Sequence, residues 1–141
     1  MRELILSEIQ RSIKVKKDTL VDEKIISQIE ALADNCLQSI RQGGKIIFCG
    51  NGGSFADSQH LAAEFVSRLR FDRAPISSIA LGTNSSNLSA IGNDYGYDEV
   101  FRREIMAFFG LEGRPGLLSG LVMNSLAISR NSKILILKRI L

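Results

Sequence analysis

The sequence predicts an α/β domain in which helices alternate with the strands of a parallel sheet. Two short apolar runs, KIIFC at 45–49 and ISSIAL at 76–81, have the composition of buried strands. Each run is followed by a glycine-containing turn and then by a segment with the spacing of a helix. The resulting helix–strand–helix–strand–helix order favours a layered fold, with a right-handed crossover between the two strands.

Helices are expected before the first strand, within residues 1–42. The first has apolar residues at helical spacing, namely Leu4, Ile5, Ile9 and Ile13. A longer helix is predicted over 19–42, and Gly43 and Gly44 are expected to end it. The α/β core is then expected over 45–110 and a tail over 111–141, all within a single domain.

Three polar or helical segments are expected around the second strand. A helix is predicted over 54–69, with its inward face formed by Leu61, Ala62, Phe65, Val66 and Leu69. A polar turn is predicted at 82–87, a short helix or ordered loop from 88, and a helix capped by Asp98 over 98–110. Two segments of the tail are not assigned to one element. Residues 116–129 suit a strand or a helix, and residues 133–141 are apolar on the helix and the strand period at once.

Composition excludes several function classes. Apolar residues make up 45% of the 141 residues and charged residues 23%, which is an ordinary balance for a globular domain. The net charge of +3 is spread along the chain, so no nucleic-acid partner is expected, whereas an anionic small substrate suits it. Cys36 and Cys49 are expected to be buried, reduced thiols. We find no signal peptide or membrane span in the sequence and expect a cytoplasmic protein with no membrane partner.

The segment CGNGGSFADSQHLAAEF at 49–65 has the composition of an anion-binding turn. Glycines between a buried strand and a helix let the backbone approach a phosphate, and the helix start adds favourable N–H groups. Ser54 is expected at the N-cap of the helix. The pattern matches neither of the usual nucleotide-binding glycine motifs, and a plain tight turn is the alternative.

The helix that follows has a polar stripe at Asp57, His60, Glu64 and Arg68. A histidine and a carboxylate four residues apart can together bind a divalent metal or form an acid–base pair. The alternative is a solvated helix face with an ordinary ion pair between Glu64 and Arg68. In IGNDYGYDEVF at 91–101, Asn93 or Asp94 is a candidate hydroxyl-binding group, with a capped helix start as the alternative.

Three segments together resemble one known family. They are CGNGGSFADSQHLAAEFVSR, RAPISSIAL and AIGNDYGYDEVF, and they are similar to the phosphoheptose isomerases, bacterial enzymes with the sugar isomerase (SIS) fold. The resemblance runs from about Leu20 to Phe109 and implies a three-layer αβα fold with a parallel sheet, whose C-terminal part is missing here. It also implies a homotetramer with active sites between subunits.

The resemblance implies an activity and a set of site residues. The activity is interconversion of D-sedoheptulose 7-phosphate and D-glycero-D-manno-heptose 7-phosphate, an early reaction of lipopolysaccharide heptose synthesis, so the expected partner is a phosphorylated seven-carbon sugar. His60 and Glu64 would be catalytic residues and zinc ligands, with Glu64 as the base that moves a proton through an enediol. The expected substrate-binding residues are Asn51, Gly52, Gly53, Ser54, Arg68, Asn93, Asp94, Ser129 and Ser132.

The chain also departs from the family pattern. Gly82-Thr83-Asn84 stands where the family has Thr-Thr-Asp, and Arg130 replaces a glycine of the serine-rich phosphate loop. The glutamine and second histidine that complete the family's metal site have no counterpart, since this chain has one histidine. Because the resemblance is lost between Glu112 and Leu126, a frameshifted, truncated or divergent product is expected. An inactive SIS module that binds a sugar phosphate or a partner protein is therefore the alternative function.

Overall fold

A computed structural model describes residues 1–109 and the backbone of two strands at 126–128 and 134–138. Its contacts divide the chain into two compact units, Met1–Asn35 and Cys36–Leu141. The first unit contains helix α1 (Arg2–Leu20) and the first part of α2 (Glu23–Arg41), and the second contains the end of α2 and the α/β core.

The N-terminal helices differ from the prediction at their boundary. The predicted helix start at Thr19 is wrong, because α1 continues to Leu20 and α2 begins at Glu23. Asp22 causes the new start, since its Oδ1 accepts the N–H groups of Lys24 at 3.0 Å and Ile25 at 3.1 Å. Helix α2 ends at Arg41, one residue before the predicted end at Gln42, which precedes the glycine stop.

Helix α1 is amphipathic in sequence but buries none of its residues in this chain. Six of its large apolar side chains are about half exposed, namely Leu4, Ile5, Leu6, Ile9, Ile13 and Val15, and Leu20 at its end is more exposed still. An apolar stripe of this kind is normally covered in the functional state of a protein.

Strand β1 (Lys45–Cys49) lies inside a four-stranded sheet of order β2-β1-β4-β3. It pairs in parallel with β2 (Ser78–Ala80), with Ile47 opposite Ile79. The predicted strand positions are confirmed, although β2 is shorter than the predicted 76–81. Both edges of β1 are paired, and the last four of its residues are buried.

Successive residues of β1 serve the two faces of the sheet, as the period of a strand requires. On one face, Ile47 and Cys49 form a core with Leu81 and Ile105. On the other face, Ile46 and Phe48 form a second core with Ala62 and Ala80, against which Cys36 and Ile40 of α2 pack. Helices therefore cover both faces, and the three-layer αβα prediction is confirmed.

The tail supplies two further strands, β3 (Leu126–Ile128) and β4 (Ile134–Lys138). The second run, which the sequence left unassigned, forms β4 and pairs in parallel with β1. The sheet is not wholly parallel as predicted, since β3 is antiparallel to β4. Five residues separate these strands, and a parallel crossover needs a dozen or more, so neighbouring strands here must be antiparallel.

Helix α3 (Gly53–Val66) packs on the sheet with a different face from the one predicted. Its buried residues are Ser54, Ser58 and Ala62, which lie four apart, and Phe65 packs beside them. Leu61 and Val66 are instead 44% and 50% exposed, so their predicted inward position is wrong. Small side chains occupy the contact because they let the helix approach the sheet closely.

The second half of the core consists of α4 (Ser85–Asp94), a 3₁₀ turn at Tyr97–Glu99, and α5 (Val100–Phe109). Asp98 lies inside the 3₁₀ turn rather than capping α5 as predicted. Neither cysteine forms a disulfide within the described residues. Cys49 is buried, Cys36 is partly buried, and burial raises the pKa of the Cys36 thiol. In the described part of the chain, no helix combines the length and apolarity needed to cross a bilayer.

Candidate functional site

The candidate site lies where two parallel strands reach their carboxyl ends. The turn at 50–52 follows β1, and the turn at 81–84 follows β2. Because β1 and β2 are parallel neighbours, both turns leave the same edge of the sheet. Ligands of open α/β sheets bind at this edge, so the fold places the glycine turn where a binding site is expected.

The turn after β1 approaches the start of α3 very closely. A Cβ atom on Gly50 would lie 2.5 Å from the backbone oxygen of Ser54, which real Cβ atoms do not tolerate. Gly52 is the N-cap residue, so the predicted capping role of Ser54 is wrong. Ser54 is the second helical residue and is only 5% exposed, because it packs into the contact with the sheet.

Some of the amides that could hold an anion are already used inside the turn. The N–H of Ser54 donates to the oxygen of Asn51 at 3.1 Å, and the N–H of Phe55 donates to the oxygen of Gly52 at 3.0 Å. A phosphate at this turn would therefore share or compete for these donors. The helix dipole and the Asn51 side chain remain favourable for a polar, anionic ligand.

Asn51 is connected to a distant segment by its side chain. The hydroxyl group of Tyr97 donates to Asn51 Oδ1 at 3.0 Å, across 46 residues of sequence. Since Oδ1 accepts this bond, the amide nitrogen of Asn51 is the atom left to donate to a ligand oxygen. The contact brings the GNGGS and GNDYGY segments together, which the sequence could suggest only through family resemblance.

His60 and Glu64 form the predicted pair on α3. His60 Nε2 lies 3.5 Å from Glu64 Oε1, with side chains 75% and 26% exposed. His60 is seven residues beyond Gly53, which places it about 10 Å along the helix axis from the turn. The pair can hold part of a metal coordination shell or act as an acid–base pair, and the geometry alone permits both.

Two arginines that follow α3, Arg68 and Arg73, differ in their contacts with the helix. Arg68 lies beyond Val66, the last helical residue, so it does not continue the polar stripe as predicted. Arg73 instead returns to the helix end, where its guanidinium donates to the backbone oxygens of Glu64 at 2.7 Å and Phe65 at 2.8 Å. A cation that binds the last carbonyls of a helix stabilises that end. Arg73 thus fixes the backbone that carries Glu64.

Helix α4 presents the Asn93–Asp94 pair at its C-terminal end. Asn93 Nδ2 donates to Asp94 Oδ1 at 2.8 Å, and both residues are exposed. Together with four small residues of the same helix they line a shallow, open polar cleft, namely Ser85, Ser86, Ser89 and Ala90. Such a surface suits hydroxyl groups, and no described contact joins it to His60 or Glu64.

Asn84 has a role that explains why an amide can replace the family's aspartate. Its Oδ1 accepts the N–H groups of Ser86 at 3.0 Å and Asn87 at 3.2 Å, so it is the N-cap of α4. Asparagine and aspartate are about equally good at this position. The capping requirement therefore allows either residue here.

Sequence analysis missed one buried polar residue near these turns. Glu104 of α5 is 3% exposed, and its Oε2 accepts the N–H of Gly82 at 2.6 Å. The available signal was its position, since Glu104 falls four residues after Val100 and next to Ile105 on the apolar face of the helix. A glutamate at such a position is rarely buried without a partner.

The structure brings some predicted residues together and leaves others apart. Asn51, Gly52, Gly53 and Ser54 share one turn, His60 and Glu64 form one pair, and Asn93 and Asp94 form another. Arg68 makes no described contact with any of these groups. Ser129 and Ser132 lie outside the residues that the structure describes.

The chain is similar in sequence to curated phosphoheptose isomerases. A phosphoheptose isomerase of Burkholderia pseudomallei (strain K96243) is 45% identical over 132 residues, covering 92% of this chain and 66% of that protein. A phosphoheptose isomerase of Aneurinibacillus thermoaerophilus is 50% identical over 113 residues, covering 80% of this chain and 57% of that protein. The chain therefore spans between about half and two thirds of the length of these curated relatives.

Solved structures agree with this similarity. The phosphoheptose isomerase GmhA of Neisseria gonorrhoeae superposes with a TM-score of 0.63 at 39% identity, covering 77% of this chain and 54% of that one. The phosphoheptose isomerase of Francisella tularensis gives a TM-score of 0.66 at 29% identity, covering 76% and 55%. The predicted resemblance to phosphoheptose isomerases is confirmed. Residues 10–115 match the SIS domain family, and since this is more than half of the chain, the protein belongs to that family.

Proposed function

We propose that this chain acts as an aldose–ketose isomerase on a phosphorylated seven-carbon sugar. The reaction is the interconversion of D-sedoheptulose 7-phosphate and D-glycero-D-manno-heptose 7-phosphate, in the cytoplasmic synthesis of lipopolysaccharide heptose. One observation carries the proposal: the His60–Glu64 pair, 3.5 Å apart, follows a glycine turn at the ligand-binding edge of the sheet. The similarity to phosphoheptose isomerases supports the choice of substrate.

The proposed chemistry needs one base and a proton that moves between neighbouring carbons. Glu64 removes the proton from C1 of the ketose, and an enediol forms as the carbonyl oxygen at C2 takes up a proton from water. Glu64 then returns its proton to C2, while the O1 hydroxyl group gives its proton back to water and becomes the aldehyde oxygen. Its 26% exposure suits this role, because the carboxyl group is reachable yet partly shielded from water. His60 lies beside Glu64 and orients its carboxyl group.

The remaining site residues bind and orient the sugar phosphate in this proposal. Asn51 and the turn at 52–54 contact the sugar phosphate through the Asn51 amide nitrogen and the start of α3. Asn93 and Asp94 bind hydroxyl groups at the other end, and Arg68 contributes a positive charge near the sugar. Ser129 and Ser132 also bind the phosphate group in this proposal.

The donor atoms near His60 and Glu64 determine whether a zinc ion fits this site. A catalytic zinc site takes three protein ligands and an open position. Among the residues that the structure describes, no group of three or more histidine, cysteine, aspartate or glutamate side chains lies close enough to hold a metal ion. His60 and Glu64 supply two ligands, and the sequence has no second histidine. The described residues therefore do not make a complete zinc site, and no step above depends on one.

An oligomer is part of the proposal. The half-exposed apolar side chains of α1 need a partner surface, and a second copy of the chain would cover them. The resemblance favours a tetramer with sites between subunits. A neighbouring copy could then bring further groups to the His60–Glu64 pair.

The experiment is a discontinuous isomerase assay that follows both sugar phosphates by chromatography, with and without added zinc. The wild type should convert sedoheptulose 7-phosphate, and Glu64→Gln should lose about 10²-fold or more in kcat, since general-base catalysis contributes this much. The matched control is Glu99→Gln, another glutamate of similar exposure beside a basic residue, which should keep wild-type kcat.

The outcomes separate the two candidate functions. Turnover that Glu64→Gln removes supports the isomerase. Binding of sedoheptulose 7-phosphate without turnover, at any zinc concentration, rejects the isomerase for this chain. That result would support the inactive SIS module.

A further inference from the structure

The turn after β2 is the place where three helices of the core meet. Gly82 has φ +80, a conformation that residues with a side chain rarely adopt. A Cβ atom there would lie 3.4 Å from Phe55 of α3, 3.5 Å from Phe101 of α5 and 3.7 Å from Leu88 of α4. A shift of Gly82 would therefore be felt by all three helices.

Glu104 of α5 holds this turn through a hydrogen bond to its backbone. Its Oε2 accepts the Gly82 N–H at 2.6 Å across 22 residues of sequence, and its side chain is 97% removed from solvent. In the described part of the chain, the Gly82 N–H is the one hydrogen-bonding partner of Glu104, and no basic side chain forms an ion pair with it. Burying a carboxyl group is costly unless it is bonded, so this single bond is a specific feature of the fold.

The consequence of this bond reaches the proposed sugar-binding residues through α4. Asn84 caps α4 two residues after Gly82, and the helix continues without a break to Asn93 and Asp94. The start of a capped helix sets the position of its end, because the backbone between them is regular. A fixed Gly82 therefore gives α4, and with it Asn93 and Asp94, a fixed place relative to the sheet.

We infer that Glu104 is a positioning residue that anchors the β2–α4 turn through the Gly82 amide and so sets the placement of the sugar-binding end of α4. The effect on sugar binding rests on the proposed function. The anchoring itself does not, and the two parts are measured separately.

The anchor is tested without ligand by amide hydrogen exchange and backbone chemical shifts in the whole chain. In the wild type, the Gly82 amide should exchange slowly although it lies in a turn. In Glu104→Leu, which keeps the bulk and removes the acceptor, it should exchange about tenfold faster or more, because a bond to a carboxyl group is lost. Amide shifts should change along 84–94. Glu104→Gln keeps an acceptor oxygen and should restore slow exchange.

The control is Glu99→Leu, the same substitution in the preceding 3₁₀ turn, which should leave Gly82 exchange unchanged. Fast exchange of Gly82 in the wild type, or unchanged exchange in a folded Glu104→Leu, overturns the inference. If Glu104→Leu does not fold, the wild-type measurement and Glu104→Asp decide it, since aspartate is one methylene shorter and should release the amide.

The ligand arm measures the Kd of sedoheptulose 7-phosphate by calorimetry, well below the unfolding temperature of each variant. Glu104→Leu should weaken binding about tenfold and Glu104→Gln less than about threefold, following the loss or retention of one bond. A purely structural role would lower the unfolding temperature and leave the Kd of the folded protein unchanged, which would overturn the positioning role. If the wild type itself binds no sugar phosphate, the proposed function fails, and the exchange data alone judge the anchor.

Discussion

At the scale of single residues, the site is organised by polar contacts between segments that are distant in sequence. Tyr97 reaches Asn51 across 46 residues, and Glu104 reaches Gly82 across 22. The His60–Glu64 pair, by contrast, is local and follows from helical spacing alone. The long-range contacts determine which side-chain atoms remain available to a ligand.

Removing the Tyr97 hydroxyl group should weaken ligand binding without unfolding the chain. In Tyr97→Phe, Asn51 Oδ1 loses its donor and the amide is free to turn, so its nitrogen is no longer held toward the ligand. We expect the Kd of sedoheptulose 7-phosphate to rise about 2- to 12-fold, the range of one neutral hydrogen bond. Isothermal calorimetry measures this change.

Tyr95→Phe is the control for that measurement. Tyr95 is exposed to a similar degree, and its ring stacks on the guanidinium of Arg103, a contact that phenylalanine keeps. Its Kd should stay within about twofold of the wild type, because no hydrogen bond is lost. Equal Kd values for Tyr97→Phe and the wild type would contradict the role given to the Tyr97 hydroxyl group.

At the scale of elements, short turns at the ends of β1 and β2 determine how α3 and α4 begin. The first turn depends on a close backbone approach at Gly50, and the second leads to a side-chain cap at Asn84. Both features are local in sequence. Their effect on how α3 and α4 begin is visible only in the folded structure, where the helices pack against the sheet.

Two glycines of the first turn should respond oppositely to alanine. Gly50→Ala places a Cβ atom 2.5 Å from the Ser54 oxygen and should destabilise the chain by about 1–3 kcal/mol. At Gly53 the same atom meets nothing within 4 Å, so Gly53→Ala should be neutral or stabilise by up to about 1 kcal/mol. Urea unfolding monitored by circular dichroism measures both changes. Equal stability of the two variants would contradict the close approach at Gly50.

The cap of α4 gives a second comparison at this scale. Asn84→Ala removes the acceptor for the Ser86 and Asn87 N–H groups and should cost about 1 kcal/mol of unfolding free energy. Asn84→Asp keeps the acceptor and should stay within about 0.5 kcal/mol of the wild type. The readout is again the urea midpoint. A larger loss in Asn84→Asp than in Asn84→Ala would reject the capping role.

At the scale of the whole molecule, the two compact units differ in how their apolar residues are buried. The unit Cys36–Leu141 has a sheet covered on both faces by buried apolar residues. The unit Met1–Asn35 includes α1, which buries none of its residues. The proposed oligomer is therefore tested most directly on α1.

A charge on the apolar stripe of α1 should reduce the mass of the particle. Wild-type protein should run as a multiple of 15.5 kDa in size-exclusion chromatography with light scattering. Ile9→Lys should shift it toward the monomer, because burying an unpaired charge is costly. Gln10→Lys adds the same charge at a polar position and should leave the mass unchanged. A monodisperse wild-type monomer would contradict the proposed oligomer.

The sequence by itself determined the elements whose signals are local. The strand KIIFC, the glycine stop after α2 and the spacing of His60 and Glu64 follow from composition and period, and all three are present. The three-layer order also followed, because alternating helices and strands leave few topologies. Three dense motifs were specific enough to indicate the SIS family from their residues alone.

Only the tertiary structure decided the features that depend on packing against distant residues. The buried face of α3 consists of Ser54, Ser58 and Ala62 rather than the larger apolar residues predicted from the sequence, because close contact with the sheet favours small side chains. The tertiary structure made the ambiguous tail strand β4 a parallel neighbour of β1, and it gave Glu104 a partner at Gly82. A periodic pattern shows which residues share a face, but the neighbouring elements determine what that face contacts.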